Sequence, residues 1–124
     1  EGVAFAHRFH VENLRREGLR GDQILFTGGA TRNRPLCQMM ANVLQLPLTI
    51  PIAEETGALG ACIVAATGVG LFTNIQEAAS QMAHARESYL PDPRQGEVYV
   101  RRFERFCNVL EWLSSCLPPA AETI

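Results

Sequence analysis

The most informative part of this chain is the run Ile24-Leu25-Phe26-Thr27-Gly28-Gly29-Ala30. Its apolar first half is typical of a short strand covered on both faces, and the paired glycines end that strand abruptly. Residues without bulk leave backbone N–H groups bare beside the helix that follows, where hydrogen bonds and the helix dipole favour an anionic phosphate. An ordinary tight turn is the alternative interpretation. Because the run contains neither GxGxxG nor GxxxxGKS/T, the two nucleotide-binding folds that carry those motifs are disfavoured.

Helices and one further strand surround this run. Asn33 or Thr31 can cap the helix that follows it, and Pro35 costs no hydrogen bond in that helix's first turn. A later helix, from 57 to about 67, has no polar face, so we expect it to be buried. In chain order the predicted elements are helix 2–17, strand 24–27, a helix ending near 44, strand 48–52, helix 57–67, helix 74–83, an extended loop at 89–93 and helix 97–115.

This alternation of helices and strands predicts an α/β domain, with parallel strands joined by right-handed crossovers and helices packed on the sheet. The last two helices are additions to that pattern. Only two strands are predicted, and a two-stranded parallel sheet is small for a domain. The chain also lacks an initiator Met and begins as if a helix were already under way. We therefore expect residues 1–124 to be a fragment of a longer protein.

Composition narrows the class of protein. The 124 residues are 47% hydrophobic and 19% charged, which is a globular balance and excludes intrinsic disorder. The formal net charge is −2, and the 11 basic residues are all arginines scattered along the chain, which disfavours a nucleic-acid partner. The longest apolar run, 57–72, contains Thr67 and four glycines, so we expect no membrane span. The amino terminus does not resemble a signal peptide.

The four cysteines, Cys37, Cys62, Cys107 and Cys116, show no CxxC spacing. We interpret them as reduced, buried thiols of a cytoplasmic protein. His7 and His10 share a helical face, but a tetrahedral metal site needs further ligands and no convincing third ligand is evident. Surface or interface histidines are therefore the favoured interpretation, and no metal site is predicted.

Three segments together resemble the carboxy-terminal domain of FGGY-type carbohydrate kinases. They are Glu1-Gly2-Val3-Ala4-Phe5-Ala6, the strand 24–27 with Gly28-Gly29-Ala30, and Glu55-Thr56-Gly57-Ala58-Leu59-Gly60-Ala61. The similarity extends to the Pro91-Asp92-Pro93 loop and to the aromatic stripe of the last helix. It implies a truncated ribonuclease-H-like domain of the actin-like ATPase superfamily, in a protein that phosphorylates glycerol, pentuloses, hexuloses or related polyols.

The resemblance also implies roles for particular residues. Gly28, Gly29 and Ala30 match the adenosine loop, whose backbone lies against the ribose and α-phosphate of ATP, and Asn33 matches a polar contact to the adenine. Glu55 matches the family's glutamate at the start of the glycine-rich helix, where we favour a structural role in helix capping and cleft support. The aspartate base and the Mg²⁺ ligands of such kinases have no counterpart here, so no catalytic residue is predicted.

Two functions remain open from the sequence. The first is the ATP-binding carboxy-terminal part of a cytoplasmic sugar kinase, inactive alone, with a pentulose as the favoured substrate. The alternative is a small α/β interaction module whose glycine pair is merely a turn. The superfamily topology also implies that three strands are missing, which would leave one edge of strand 24–27 unpaired. We expect the fragment to cover that edge by forming a homodimer.

Overall fold

The computed structural model describes residues 1–116, and residues 117–124 of the predicted domain lie outside it. The described part contains five α-helices, three strands and one 3₁₀ turn. These elements are α1 Gly2–Arg16, β1 Ile24–Leu25, the 3₁₀ turn Gly29–Arg32, α2 Arg34–Leu44, β2 Leu48–Pro51, α3 Thr56–Gly68, α4 Ile75–Met82, β3 Ala85–Tyr89 and α5 Pro93–Cys116.

The strands form one mixed sheet in the order β1-β2-β3. β1 and β2 are parallel, with Ile24 opposite Leu48, which confirms the predicted α/β arrangement. β3 is antiparallel to β2, with Thr49 opposite Ser88, and was not predicted. Because β3 runs in the opposite direction, its first residues lie at the end of the sheet that holds the carboxyl ends of β1 and β2.

The core lies between the sheet and helices α1, α2 and α5. α2 supplies much of it, because five of its apolar side chains are buried. Phe5 of α1 meets the aromatic stripe of α5, with its ring centroid 6.2 Å from that of Phe103 and 5.7 Å from that of Phe106. Aromatic pairs at such distances add to the stability gained from buried area. These contacts hold α1 and α5 together on one face of α2.

Two expectations about burial are wrong. β1 is not covered on both faces, because Leu25 is 64% exposed. α3 packs against α4, and Ile63 is its one buried residue among those described. An apolar sequence predicts that a helix is buried, but it does not identify the segment that packs against the helix. The apolar faces of β1 and α3 are left open within residues 1–116.

The cysteines also differ from expectation. Cys37 is buried and Cys107 half-buried, whereas Cys62 and Cys116 are exposed. Cys62 is exposed because it lies on the open surface of α3. All four thiols are free. Among residues 1–116, no helix combines the length and apolar character that crossing a bilayer requires.

Candidate functional site

An open cleft lies at the carboxyl ends of β1 and β2. The space between its walls and at its open mouth is about 440 Å³, open solvent included. Thr27, Gly28 and Gly29 form part of its wall, and the segment that joins β2 to α3 forms another part. Ligands of α/β sheets bind at the carboxyl ends of the strands, so the cleft lies where a substrate or cofactor is expected.

The glycine pair gives the cleft an open backbone wall. Gly28 has φ 86° and ψ −175°, a conformation that side-chain-bearing residues rarely adopt. Its carbonyl accepts hydrogen bonds from the Thr31 hydroxyl at 2.7 Å and from the Thr31 backbone N–H at 3.1 Å, which fixes the turn. A Cβ built on Gly28 or Gly29 meets no atom within 4 Å. A ligand can therefore approach this backbone closely.

The backbone amides in this turn are free to bind a ligand. In the described part of the chain, the N–H groups of Gly29 and Ala30 have no hydrogen-bond acceptor. Such donors at the start of a helical turn suit an anion. Of the predicted adenosine-loop residues, Gly28 and Gly29 line the cleft, and Ala30 does not.

Asn33 lies beyond the cleft wall and caps α2. Its Oδ1 accepts a hydrogen bond from the Leu36 backbone N–H at 3.1 Å, so of the two predicted caps Asn33 is the one used. Pro35 occupies the first turn of α2, as expected. Within residues 1–116 the Asn33 side-chain amide nitrogen has no hydrogen-bond partner. Its predicted contact to adenine would use that nitrogen.

Charged side chains surround the mouth of the cleft. The Arg32 guanidinium lies 3.4 Å from a carboxylate oxygen of Glu54, and both side chains are exposed. Glu55 occupies the N-cap position of α3, but its side chain makes no capping hydrogen bond. Its backbone carbonyl instead accepts from the Leu59 N–H at 3.1 Å. Glu55 is thus the N-cap residue of α3 and lines the cleft, as expected, but it caps the helix without a side-chain hydrogen bond.

Arg86 is a cleft residue that the sequence did not indicate. It is the second residue of β3 and lines the cleft together with Arg32, Glu54 and Glu55. No sequence signal could have identified it, because the run Ala-Arg-Glu-Ser-Tyr lacks the alternation of apolar residues that predicts a strand. The pairing of its neighbours Ala85 and Glu87 with β2 brings Arg86 to the site.

Polar contacts join β3 to α2, behind the cleft. The Glu87 carboxylate accepts from the Tyr89 hydroxyl at 2.8 Å and from the Arg34 guanidinium at 2.7 Å. The Tyr89 hydrogen bond, together with the nearby Arg34, lowers the pKa of Glu87 below its ordinary value. Burial raises the pKa of the Cys37 thiol, which points to the Thr31 carbonyl at 3.6 Å. These contacts fix the glycine turn relative to β3.

Metal ligands are not assembled in the part of the chain that the structure describes. No group of three His, Cys, Asp or Glu side chains there lies close enough to hold a metal ion. His7 and His10 are both exposed on α1.

Comparison with known proteins identifies the family. Residues 1–69 match the FGGY family of carbohydrate kinases, C-terminal domain. L-xylulose/3-keto-L-gulonate kinase of Escherichia coli is 31% identical over 110 residues, which are 89% of this chain and 22% of that protein. A ligand-bound xylulose kinase structure from Lactobacillus acidophilus superposes with a TM-score of 0.84 at 25% identity, over 90% of this chain and 23% of that one. Plasmodium falciparum glycerol kinase with ADP shares the fold, with a TM-score of 0.72 at 17% identity over 86% of this chain and 22% of that one.

The chain belongs to the FGGY family of carbohydrate kinases, and it matches the C-terminal domain of that family. This confirms the resemblance drawn from the three sequence segments. FGGY kinases use ATP, and ADP is bound in the Plasmodium enzyme. The chain spans less than a quarter of the length of these relatives.

Proposed function

We propose that this chain is the ATP-binding carboxy-terminal part of a cytoplasmic sugar kinase, in which the γ-phosphate of ATP passes to a carbohydrate hydroxyl. The observation that carries the proposal is the cleft at the ends of β1 and β2, with its open glycine backbone and unpaired amides. A pentulose is the favoured substrate, because the relatives of similar sequence and structure include kinases of L-xylulose and xylulose. Four free thiols fit a reducing compartment.

The glycine turn of the cleft suits a nucleotide because its backbone is open to close approach. The wall at Gly28 and Gly29 has room that any Cβ would fill, which suits the close approach of a ribose and phosphate. The N–H group of Gly29, in the cleft wall, would donate a hydrogen bond to the α-phosphate, and the predicted contacts of Ala30 and Asn33 would require the nucleotide to extend beyond the wall of the cleft. ATP supplies the phosphoryl group when it is bound. This chain's part is to hold the nucleotide, since phosphoryl transfer depends mainly on positioning.

The base and the Mg²⁺ ligands belong outside residues 1–116 in this proposal. The chain alone is therefore expected to bind nucleotide weakly and to transfer no phosphate. Weak binding is measurable by NMR titration of the 124-residue chain with ADP.

Replacement of Gly29 tests the site directly. Because a Cβ at Gly29 meets nothing within 4 Å, Gly29→Val is expected to fold normally while blocking the approach of the nucleotide. We expect ADP affinity to fall at least about tenfold, the loss of roughly one charge-assisted hydrogen bond. Gly68→Val is the matched control, because Gly68 also has open space at its Cβ and lies outside the cleft. Equal ADP affinity in the two variants would contradict the proposed site, and a chain that binds no nucleotide would favour an interaction module.

The exposed edge of β1 supports a second proposal, that the chain forms a homodimer. β1 is an edge strand of the described sheet, and Leu25 on it is 64% exposed. Unpaired strand edges readily pair with another chain. Light scattering over a concentration series is expected to show a mass that rises towards twice 13.7 kDa. A constant monomer mass would overturn dimerisation without affecting the nucleotide site.

A further inference from the structure

Arg86 reaches the cleft from a strand that follows both helices of the α3–α4 pair. β3 is antiparallel to β2, and Ala85 pairs with Pro51 at the end of β2. The register shifts between Ile50 and Pro51, so Arg86 lies between the paired residues Ala85 and Glu87 without a partner of its own, at the same end of the sheet as the Gly28 turn. The Arg86 side chain is exposed and lines the cleft.

The charges around Arg86 leave it as the unpaired cation of the cleft. Four charged residues line the cavity, namely Arg32, Arg86, Glu54 and Glu55. Arg32 is paired with Glu54. Arg86 forms no ion pair with any residue in the range 1–116. Its neighbour Glu87 is hydrogen-bonded to Arg34 and Tyr89, and Arg86 acts on the Glu87 carboxylate only as a nearby charge, a smaller cause of its lowered pKa.

We propose that the Arg86 guanidinium contacts the phosphates of the bound nucleotide and makes the cleft prefer a nucleotide over the uncharged nucleoside. The inference rests on the proposed function of the cleft. A guanidinium presents several N–H donors in one plane and binds phosphate oxygens in pairs, which a single backbone amide cannot do. Arg32 is less suited to this role, because its charge is already opposed by Glu54.

The test compares Arg86→Gln with the unchanged chain, using ADP and adenosine as separate probes in NMR titrations. We expect Arg86→Gln to weaken ADP binding about tenfold, the usual effect of losing a charged hydrogen bond. Adenosine binding should change less than about twofold on the same reasoning, since adenosine has no phosphate. Arg86→Lys keeps the charge and should recover part of the ADP affinity. Arg101→Gln removes an exposed α5 arginine outside the cleft and should leave both affinities unchanged.

The outcomes separate this inference from the proposed function. If the unchanged chain binds ADP and Arg86→Gln binds it equally well, the role of Arg86 is overturned while the nucleotide site stands. An equal loss of ADP and adenosine in Arg86→Gln would also overturn it, because the effect would not depend on phosphate. If the unchanged chain binds neither probe, the proposed function fails and the role of Arg86 fails with it.

Discussion

The side-chain oxygen of Asn42 accepts a hydrogen bond from the backbone N–H of Asp92 at 2.8 Å. The same oxygen accepts from the Gln38 side-chain nitrogen at 3.0 Å, and that nitrogen also donates to the Leu90 carbonyl at 2.7 Å. Asn42 is 3% exposed, so its amide group makes these hydrogen bonds in the protein interior. The contacts fasten the turn between β3 and α5 to α2.

Removing the Asn42 amide should therefore destabilise the domain. Asn42→Leu keeps much of the volume but leaves the Asp92 N–H without its acceptor. We expect the free energy of unfolding to fall by about 1–3 kcal/mol, measured by urea denaturation. Asn108→Leu changes an exposed asparagine of α5 and should alter stability by less than about 0.5 kcal/mol. Equal losses in the two variants would contradict the role assigned to Asn42.

Gly96 and Gln45 form a second contact between α5 and the end of α2. A Cβ on Gly96 would lie 2.6 Å from the Gln45 side-chain nitrogen. That nitrogen donates a hydrogen bond to the Asn42 backbone carbonyl. Alanine favours a helix over glycine by up to about 1 kcal/mol, but here the new methyl would displace the Gln45 amide.

We therefore expect Gly96→Ala to bring no gain in stability in the unchanged chain. In a Gln45→Ala background the obstacle is gone, and Gly96→Ala should stabilise by up to about 1 kcal/mol. Urea denaturation of the two single variants and the double variant measures this coupling. The same effect of Gly96→Ala in both backgrounds would show that the two residues do not interact.

The lowered pKa of Glu87 predicts a pH dependence of stability. A carboxyl whose pKa is lower in the folded state stabilises that state above its ordinary pKa of 4.5. This contribution is lost as the pH falls through the lower pKa of the folded chain. Glu87→Gln removes the titration, so its stability should decline less steeply with acid than that of the unchanged chain.

Urea denaturation at a series of pH values, from neutral into the acid range, measures this difference in slope. Parallel curves for Glu87→Gln and the unchanged chain would contradict a stabilising interaction of Glu87 with Tyr89 and Arg34.

The exposure of the four thiols predicts their reactivity towards a disulfide reagent such as dithionitrobenzoate. Cys62 and Cys116 should react at once, and half-buried Cys107 more slowly. Cys37 is fully buried and burial raises the pKa of its thiol, so it should react only when the domain unfolds. Cys37→Ala should remove the slowest phase, and Cys62→Ser should reduce the fast phase by one thiol. A fast reaction of four thiols in the folded chain would show that α2 opens readily.

The sequence predicted those parts of the fold that local chemistry controls. The Asn33 cap and the proline in the first turn of α2 both follow from side chains acting on nearby backbone. The α/β class followed from the alternation of apolar segments. In the site, the glycine turn at the end of strand 24–27 was predicted, while the nucleotide contacts of Gly28, Gly29, Ala30 and Asn33 stay predictions.

Features that depend on distant partners were missed. β3 exists because its backbone pairs with β2, and its mostly polar residues 85–89 carry no strand pattern of their own. Arg86 was overlooked for the same reason. The exposure of α3 and Leu25 was missed because apolar side chains predict burial, but the tertiary structure decides whether another segment packs against them.

One residue that lines the cleft lies outside the segment that matches the family model. The match to the family ends at residue 69, whereas the chain returns to the cleft at residue 86. A substitution at residue 86 would therefore change the charge of the cleft without altering the segment that matches the family model. If the cleft binds the nucleotide as proposed, two relatives with identical signatures can differ in how tightly they bind it.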